Sequence, residues 1–165
     1  MPTTVLILGA RGRFGLAVAR AFADAGWRVL GQTRPGAELP ADPRIEWLGT
    51  DLYDTQALAA AARGAAVVVH ALNPAYTHKA WRAQVAPMLD AAIAVTRTLG
   101  ATLMMPGNVY NFGAAMPPVL REDTPQAAQT VKGRIRIDME AQLKRSGVRG
   151  VVIRAGDFFG SGRGT

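Results

Sequence analysis

Two apolar rhythms alternate along the chain. Short runs with little internal alternation, Thr4–Leu8, Arg28–Gln32, Ile45–Leu48, Ala66–His70, Thr102–Met105 and Val148–Arg154, predict strands. Runs this uniformly apolar suit strands covered on both faces. Between them lie stretches with helical spacing. Arg13–Ala25 carries Phe14, Ala17, Val18, Ala21 and Phe22 on one side and is stopped by Gly26. Thr55–Arg63 has a cap in Asp54 and a stop in Gly64. His78–Leu99 is long, and Pro87 inside it predicts a kink. Gln126–Ser146 reads as a loop followed by a helix from about Lys132, with Gly133 weakening the helix start.

This β-α alternation predicts one α/β domain over residues 1–165, a parallel sheet with helices on both faces. Arg34–Pro43 and Gly113–Pro125 are the main loops, and the second is long enough to carry function. The last stretch, RAGDFFGSGRGT, reads as a strand running into a glycine-rich loop with no closing helix. That pattern is expected of part of a larger protein or of a short member of its class.

Composition narrows the function. A chain of 165 residues can bury roughly 70% of its unfolded surface, enough for a real core. With 49% apolar and 19% charged residues it reads as soluble and globular. No apolar run approaches the roughly 18 residues of a membrane span, and the N-terminus lacks the basic start of a signal peptide, so a cytoplasmic location is expected. The absence of cysteine excludes disulfides and thiolate metal sites, and His70 and His78 show no ligand spacing, so no metal is expected. The net charge of +7 is spread evenly, without a basic block interleaved with aromatics. This favours a small phosphate ligand over nucleic acid.

One stretch gives that ligand a place. In LILGARGRFG, residues 6–15, Gly9, Gly12 and Gly15 follow a predicted strand and open a predicted helix. This is the context a dinucleotide fingerprint requires. Gly9 permits a tight turn, Gly12 lets a pyrophosphate approach the backbone, and Gly15 permits close packing of helix on strand. A helix start with no capping side chain offers N–H groups and a positive dipole end to phosphate. Arg11, Arg13 and Phe14 lie in the same turn. The second strand ends GQTRPG, with Thr33 and Arg34 where an NAD site carries a carboxylate for the ribose hydroxyls. Arg34 and Arg11 suit a 2′-phosphate, which favours NADP over NAD. The plainer alternative is that Arg34 is only a surface loop residue.

Five segments together resemble the short-chain dehydrogenase/reductase superfamily, in its extended or atypical NAD(P)-dependent epimerase/dehydratase branch. They are GARGRFG, GTDLYD, VVHALNP, MMPGNVYNFG and VVIRAGDFFGSG. The resemblance implies a Rossmann-type doubly wound sheet of order 3-2-1-4-5-6, followed in the family by a further strand and a substrate region expected to be absent here. It implies that Asp51 and Leu52 contact adenine. It also implies that His70, Ala71, Leu72 and Asn73 run under the cofactor, and that VVIRAGDFFGSG lines the nicotinamide end. The family's Tyr-x-x-x-Lys falls, without gaps, on Lys132 and Arg136, and its serine position falls on Pro106.

These departures remove the usual phenol and hydroxyl. Lys132 and Tyr110 become the candidate proton donors, with Arg136 as the positive charge beside them. Tyr110 in the family is usually structural, and Asn108 offers an amide nearby. His70 reads as a packed, hydrogen-bonded histidine, and Tyr76 and Trp81 as pocket-lining or core residues. Two readings follow. The first is an NADP-dependent oxidoreductase or epimerase-like enzyme acting on a small carbonyl, hydroxyl or sugar-like substrate. The second is a non-catalytic NADP-binding redox sensor. A homodimer through the helices His78–Leu99 and Lys132–Ser146 is expected from the resemblance, and no membrane or nucleic-acid partner.

Overall fold

The structure, a computed structural model, describes residues 2–156. Six strands form one all-parallel sheet: β1 (Thr4–Leu8), β2 (Arg28–Thr33), β3 (Ile45–Gly49), β4 (Ala65–His70), β5 (Thr102–Gly107) and β6 (Arg149–Arg154). Their order is β3-β2-β1-β4-β5-β6, the order the family resemblance implies. Four helices connect them: α1 (Arg13–Asp24), α2 (Thr55–Ala61), α3 (His78–Leu99) and α4 (Val131–Arg145). A short 3-10 turn, Tyr110–Phe112, follows β5.

The central strand explains the unbroken apolar run at the start of the chain. Leu6 and Leu8 of β1 enter a larger core with α2, α3 and α4, which contributes Leu58, Trp81, Leu89, Met139 and Leu143. Val5 and Ile7, pointing the other way, enter a smaller core with Ala19 of α1, Val29 and Val69. Every β1 residue is buried, because both faces are covered.

Two local expectations change, and the setting of Pro87 becomes clear. The helix α3 runs unbroken through Pro87. Pro87 and Ala83 are both exposed, so the carbonyl that Pro87 cannot bond faces water rather than the core. Gly133 does not weaken the start of α4 so much as permit it. A Cβ there would stand 2.6 Å from the Tyr110 carbonyl oxygen and 2.6 Å from Ala128 Cβ. The Thr130 hydroxyl caps that helix by accepting from the Gly133 N–H at 3.0 Å. β5 extends through Pro106, where it pairs with β6 but β4 has already ceased to pair, so a missing N–H is tolerated.

Candidate functional site

The sheet order reverses around β1, whose neighbours β2 and β4 lead away in opposite directions. The loops after β1 and β4 therefore meet at the carboxyl edge of the sheet, where ligands of doubly wound sheets bind. Gly9 adopts φ +77°, which favours glycine. A Cβ on it would stand 2.9 Å from Leu72 Cδ2 and 3.1 Å from the Ala71 carbonyl oxygen, so the two loops are in contact. The Ala71 N–H donates to the Leu8 carbonyl at 3.0 Å.

The three glycines have separate tasks. A Cβ on Gly15 would fall on the Gly9 carbonyl oxygen, so this residue lets α1 close on the turn. Gly12 is extended, with φ −66° and ψ 158°, and stands at the start of α1 with no capping side chain. A Cβ on it would meet only the Gly9 oxygen, at 3.3 Å, and otherwise face open space. The uncapped helix start thus points its positive end at an uncrowded position. Gln32, buried at the end of β2, braces the turn: its Oε1 accepts from the Gly9 N–H at 3.1 Å and its Nε2 donates to the Thr50 carbonyl at 2.8 Å. Nothing in the sequence distinguishes Gln32 from an ordinary strand residue.

Beside this turn, Arg11 and Arg13 are exposed and Phe14 is half-buried. Thr33 is buried at the end of β2, and Arg34 follows it, exposed. Neither the Arg11 nor the Arg34 guanidinium has a side-chain partner among the described residues. The loop beyond Arg34 is fastened to α1 by Asp42, which accepts from Arg44 at 2.9 Å and from Arg20 at 3.1 Å. Arg44 also pairs with Asp24. The Arg44 hydrogen bond holds the Asp42 carboxyl well below the usual carboxylate range. Asp51 accepts from the Tyr53 N–H at 2.7 Å, a local turn, while Leu52 is part of the larger core. Asn73 is exposed on the loop after β4.

The proton-transfer candidates gather at the same edge. Lys132 and Arg136 occupy the first two turns of α4. Lys132 Nζ lies over the Tyr76 ring and 3.4 Å from the Tyr76 carbonyl oxygen. The Tyr76 and Tyr110 hydroxyls are 3.1 Å apart. Desolvation pushes the Lys132 amine below its ordinary value, and Tyr110 opposes that shift. Arg136 stacks on Trp81 with its guanidinium carbon 5.0 Å from the ring centroid and donates to the Pro106 carbonyl at 3.3 Å. Trp81 is a core residue, and Asn108 Oδ1 accepts from the Tyr110 N–H at 3.0 Å. Tyr76 was the least predictable member, because only folding brings the loop before α3 to the start of α4.

His70 is packed, as expected, but one ring nitrogen is left over. It is 3% exposed at the end of β4, yet its Nε2 has no hydrogen-bond partner among the described residues. Burial pushes its pKa down to about 4, with the nearby Arg136 charge acting in the same direction. A second network, also beyond sequence reasoning, secures β6. The Glu140 carboxylate accepts from both Nη groups of Arg154 at 2.9 Å, from Asn111 at 2.9 Å and from Gln126 at 2.8 Å. A cavity of about 530 Å³ adjoins Arg154 and is floored by Phe112 and Val152. The expected nicotinamide-end segment is described through Gly156. Its continuation from Asp157 lies outside the described residues.

Solved structures share this architecture. A candidate epimerase from Burkholderia cenocepacia J2315 superposes with a TM-score of 0.81 at 24% identity, over 99% of this chain and 57% of that one. The Bordetella bronchiseptica enzyme WbmG, in complex with NAD, gives 0.74 at 19% identity, over 93% of this chain and 53% of that one. UDP-glucose 4-epimerase from Brucella ovis, in complex with NAD, gives 0.77 at 17% identity, over 92% and 51%. The chain spans about half the length of these proteins. No curated protein matches it. Residues 1–97 match the NmrA-like family.

Proposed function

The chain belongs to the NmrA-like family, and from that premise we propose that it binds NADP in the crevice between the loops after β1 and β4 and uses it in an oxidoreductase or epimerase-like reaction. The single observation that carries the reading is the open position over Gly12. There an uncapped helix start meets the switch point of the sheet, and a Cβ would occupy the space a pyrophosphate needs. The residues fit the group: Gly12 and the start of α1 would hold the pyrophosphate, and Ala71, Leu72 and Asn73 would run beneath the dinucleotide. The preference for NADP is supported by Arg34 and Arg11, exposed and without side-chain partners beside a strand end that lacks a carboxylate. The bound structures of WbmG and the Brucella ovis epimerase contain NAD, so the choice between the two dinucleotides rests on this chain's own arginines.

When bound, the nicotinamide supplies or accepts a hydride. The chain's residues must then move one proton to or from the substrate oxygen. Lys132 occupies the helix position facing that end and can hold or release the proton at Nζ, and desolvation favours its release. Tyr110 is the second donor, with Tyr76 hydrogen-bonded to it. Arg136 supplies fixed positive charge behind them. The substrate class that fits is a small carbonyl, hydroxyl or sugar-like compound.

The second reading, a non-catalytic NADP sensor, is favoured by Pro106 and Lys132 standing where the family's serine and tyrosine belong. Turnover of NADPH over a panel of small ketones, aldehydes and nucleotide sugars separates the two. Substrate-dependent oxidation supports the enzyme. Tight NADPH binding without turnover on any member supports the sensor.

A further inference from the structure

Two buried polar atoms beside one cavity are left idle by the mechanism. His70 Nε2 and Arg136 Nε have no hydrogen-bond partner among the described residues, and both residues line one cavity of about 10 Å³ between the end of β4, α3 and α4. The cavity's other walls are mainly apolar: Leu72, Pro74, Val85, Met88 and Met139. Exposed Asn73 stands on its solvent side. Buried polar groups in folded proteins are almost always paired, so two orphans in one cavity call for a ligand.

We propose that this cavity is a binding site for a single hydroxyl oxygen, accepting from Arg136 Nε–H and donating to His70 Nε2. The chemistry selects the ligand. The site requires the His70 tautomer that carries its proton on Nδ1. Nε2 is then a bare acceptor. Arg136 Nε carries hydrogen and can only donate. The guanidinium is held in place by the Pro106 carbonyl, which accepts from Nη1, and by the Trp81 face. A carbonyl or carboxylate could satisfy Arg136 but could give no proton to His70. An ammonium could satisfy His70 but could accept nothing. An O–H group does both, and a cavity of about 10 Å³ suits one oxygen. The oxygen belongs either to water or to a hydroxyl of the dinucleotide that reaches in past Asn73. The site does not depend on whether the dinucleotide binds.

His70 and His78 are the chain's only histidines, so ring-nitrogen NMR on ¹⁵N-histidine-labelled protein reads the site directly. His70→Leu assigns the signal by removing it. The expected result is a neutral ring protonated at Nδ1 with Nε2 at the position of a hydrogen-bonded acceptor. Arg136→Met moves Nε2 toward the bare-acceptor position. Arg136→Lys, which keeps the charge but not the Nε donor, does the same and serves if the methionine variant fails to fold. Titration with NADPH separates the sources. A persistent cross-peak between the ring and long-lived water identifies water as the ligand. Loss of that cross-peak with a shift of Nε2 at saturation identifies a dinucleotide hydroxyl. A proton on Nε2, a bare-acceptor Nε2 both with and without NADPH, or an Nε2 indifferent to both Arg136 substitutions overturns the proposal.

Discussion

Acidification should destabilise this protein through one histidine before its carboxylates respond. Burial moves the His70 pKa from its ordinary 6.5 to about 4 in the folded chain. Below about pH 6.5 the unfolded imidazole takes up a proton that the folded one refuses until about pH 4. The unfolded state therefore binds more protons across this window, and stability falls as pH falls. A shift of this size, at roughly 1.4 kcal/mol per pKa unit, corresponds to a loss of about 2 kcal/mol by about pH 5 and about 3 kcal/mol by about pH 4. Asp42 acts in the same direction, at lower pH. Its carboxyl is held below its ordinary 3.8, so its contribution is present above that value and is lost only as pH falls through it. The two windows barely overlap. Urea unfolding followed by circular dichroism, at a series of pH values from about 7 to about 4, measures the slope. His70→Leu, which keeps an apolar side chain in the β4 core and removes the titration, should flatten the curve above about pH 4.5. A wild-type curve already flat in that window, or a His70→Leu curve as steep as the wild type, refutes the reasoning.

Arg34→Ala should weaken NADPH but leave NADH nearly unchanged, because only NADPH carries the 2′-phosphate. One charge-assisted contact is worth roughly 1.5–3 kcal/mol, about a tenfold to hundredfold change in Kd by calorimetry. Lys132→Met should abolish any turnover while leaving NADPH affinity intact, and Tyr110→Phe should cost less. The reverse order would move the proton donor to the tyrosine pair, and the pH–rate profile of each variant checks the assignment. α3 and α4 pack against one another and leave Arg82, Arg97 and Arg134 exposed. A homodimer across these helices is expected in light scattering, and a monomeric mass at high concentration would count against it.

The fold was largely legible because a doubly covered sheet writes itself into the sequence. β1 and α3 begin and end where the apolar pattern places them, since their boundaries coincide with Gly9, Thr77 and Gly100, residues with local turn or cap roles. β5 ran past its expected end because Pro106 looks like a breaker until the absence of a β4 partner is known. How α3 accommodates Pro87 was not legible either, since exposure of Ala83 is a tertiary fact. The glycine turn was legible because backbone geometry, not side-chain contact, defines it. The brace from Gln32, the Tyr76–Lys132 contact, the Glu140–Arg154 network and the idle nitrogen of His70 were not. Each joins residues far apart in the chain, and no spacing rule connects them.

The central claim is that the turn over Gly12 cradles a dinucleotide pyrophosphate, and calorimetric titration of wild type and Gly12→Val with NADPH and NADH tests it most directly. At φ −66° and ψ 158° valine is conformationally acceptable, and its Cβ meets only one backbone oxygen, so the variant should fold. Wild type should bind NADPH more tightly than NADH, and folded Gly12→Val should bind neither. Equal NADPH affinity in wild type and the folded variant, or no binding by wild type, would contradict it.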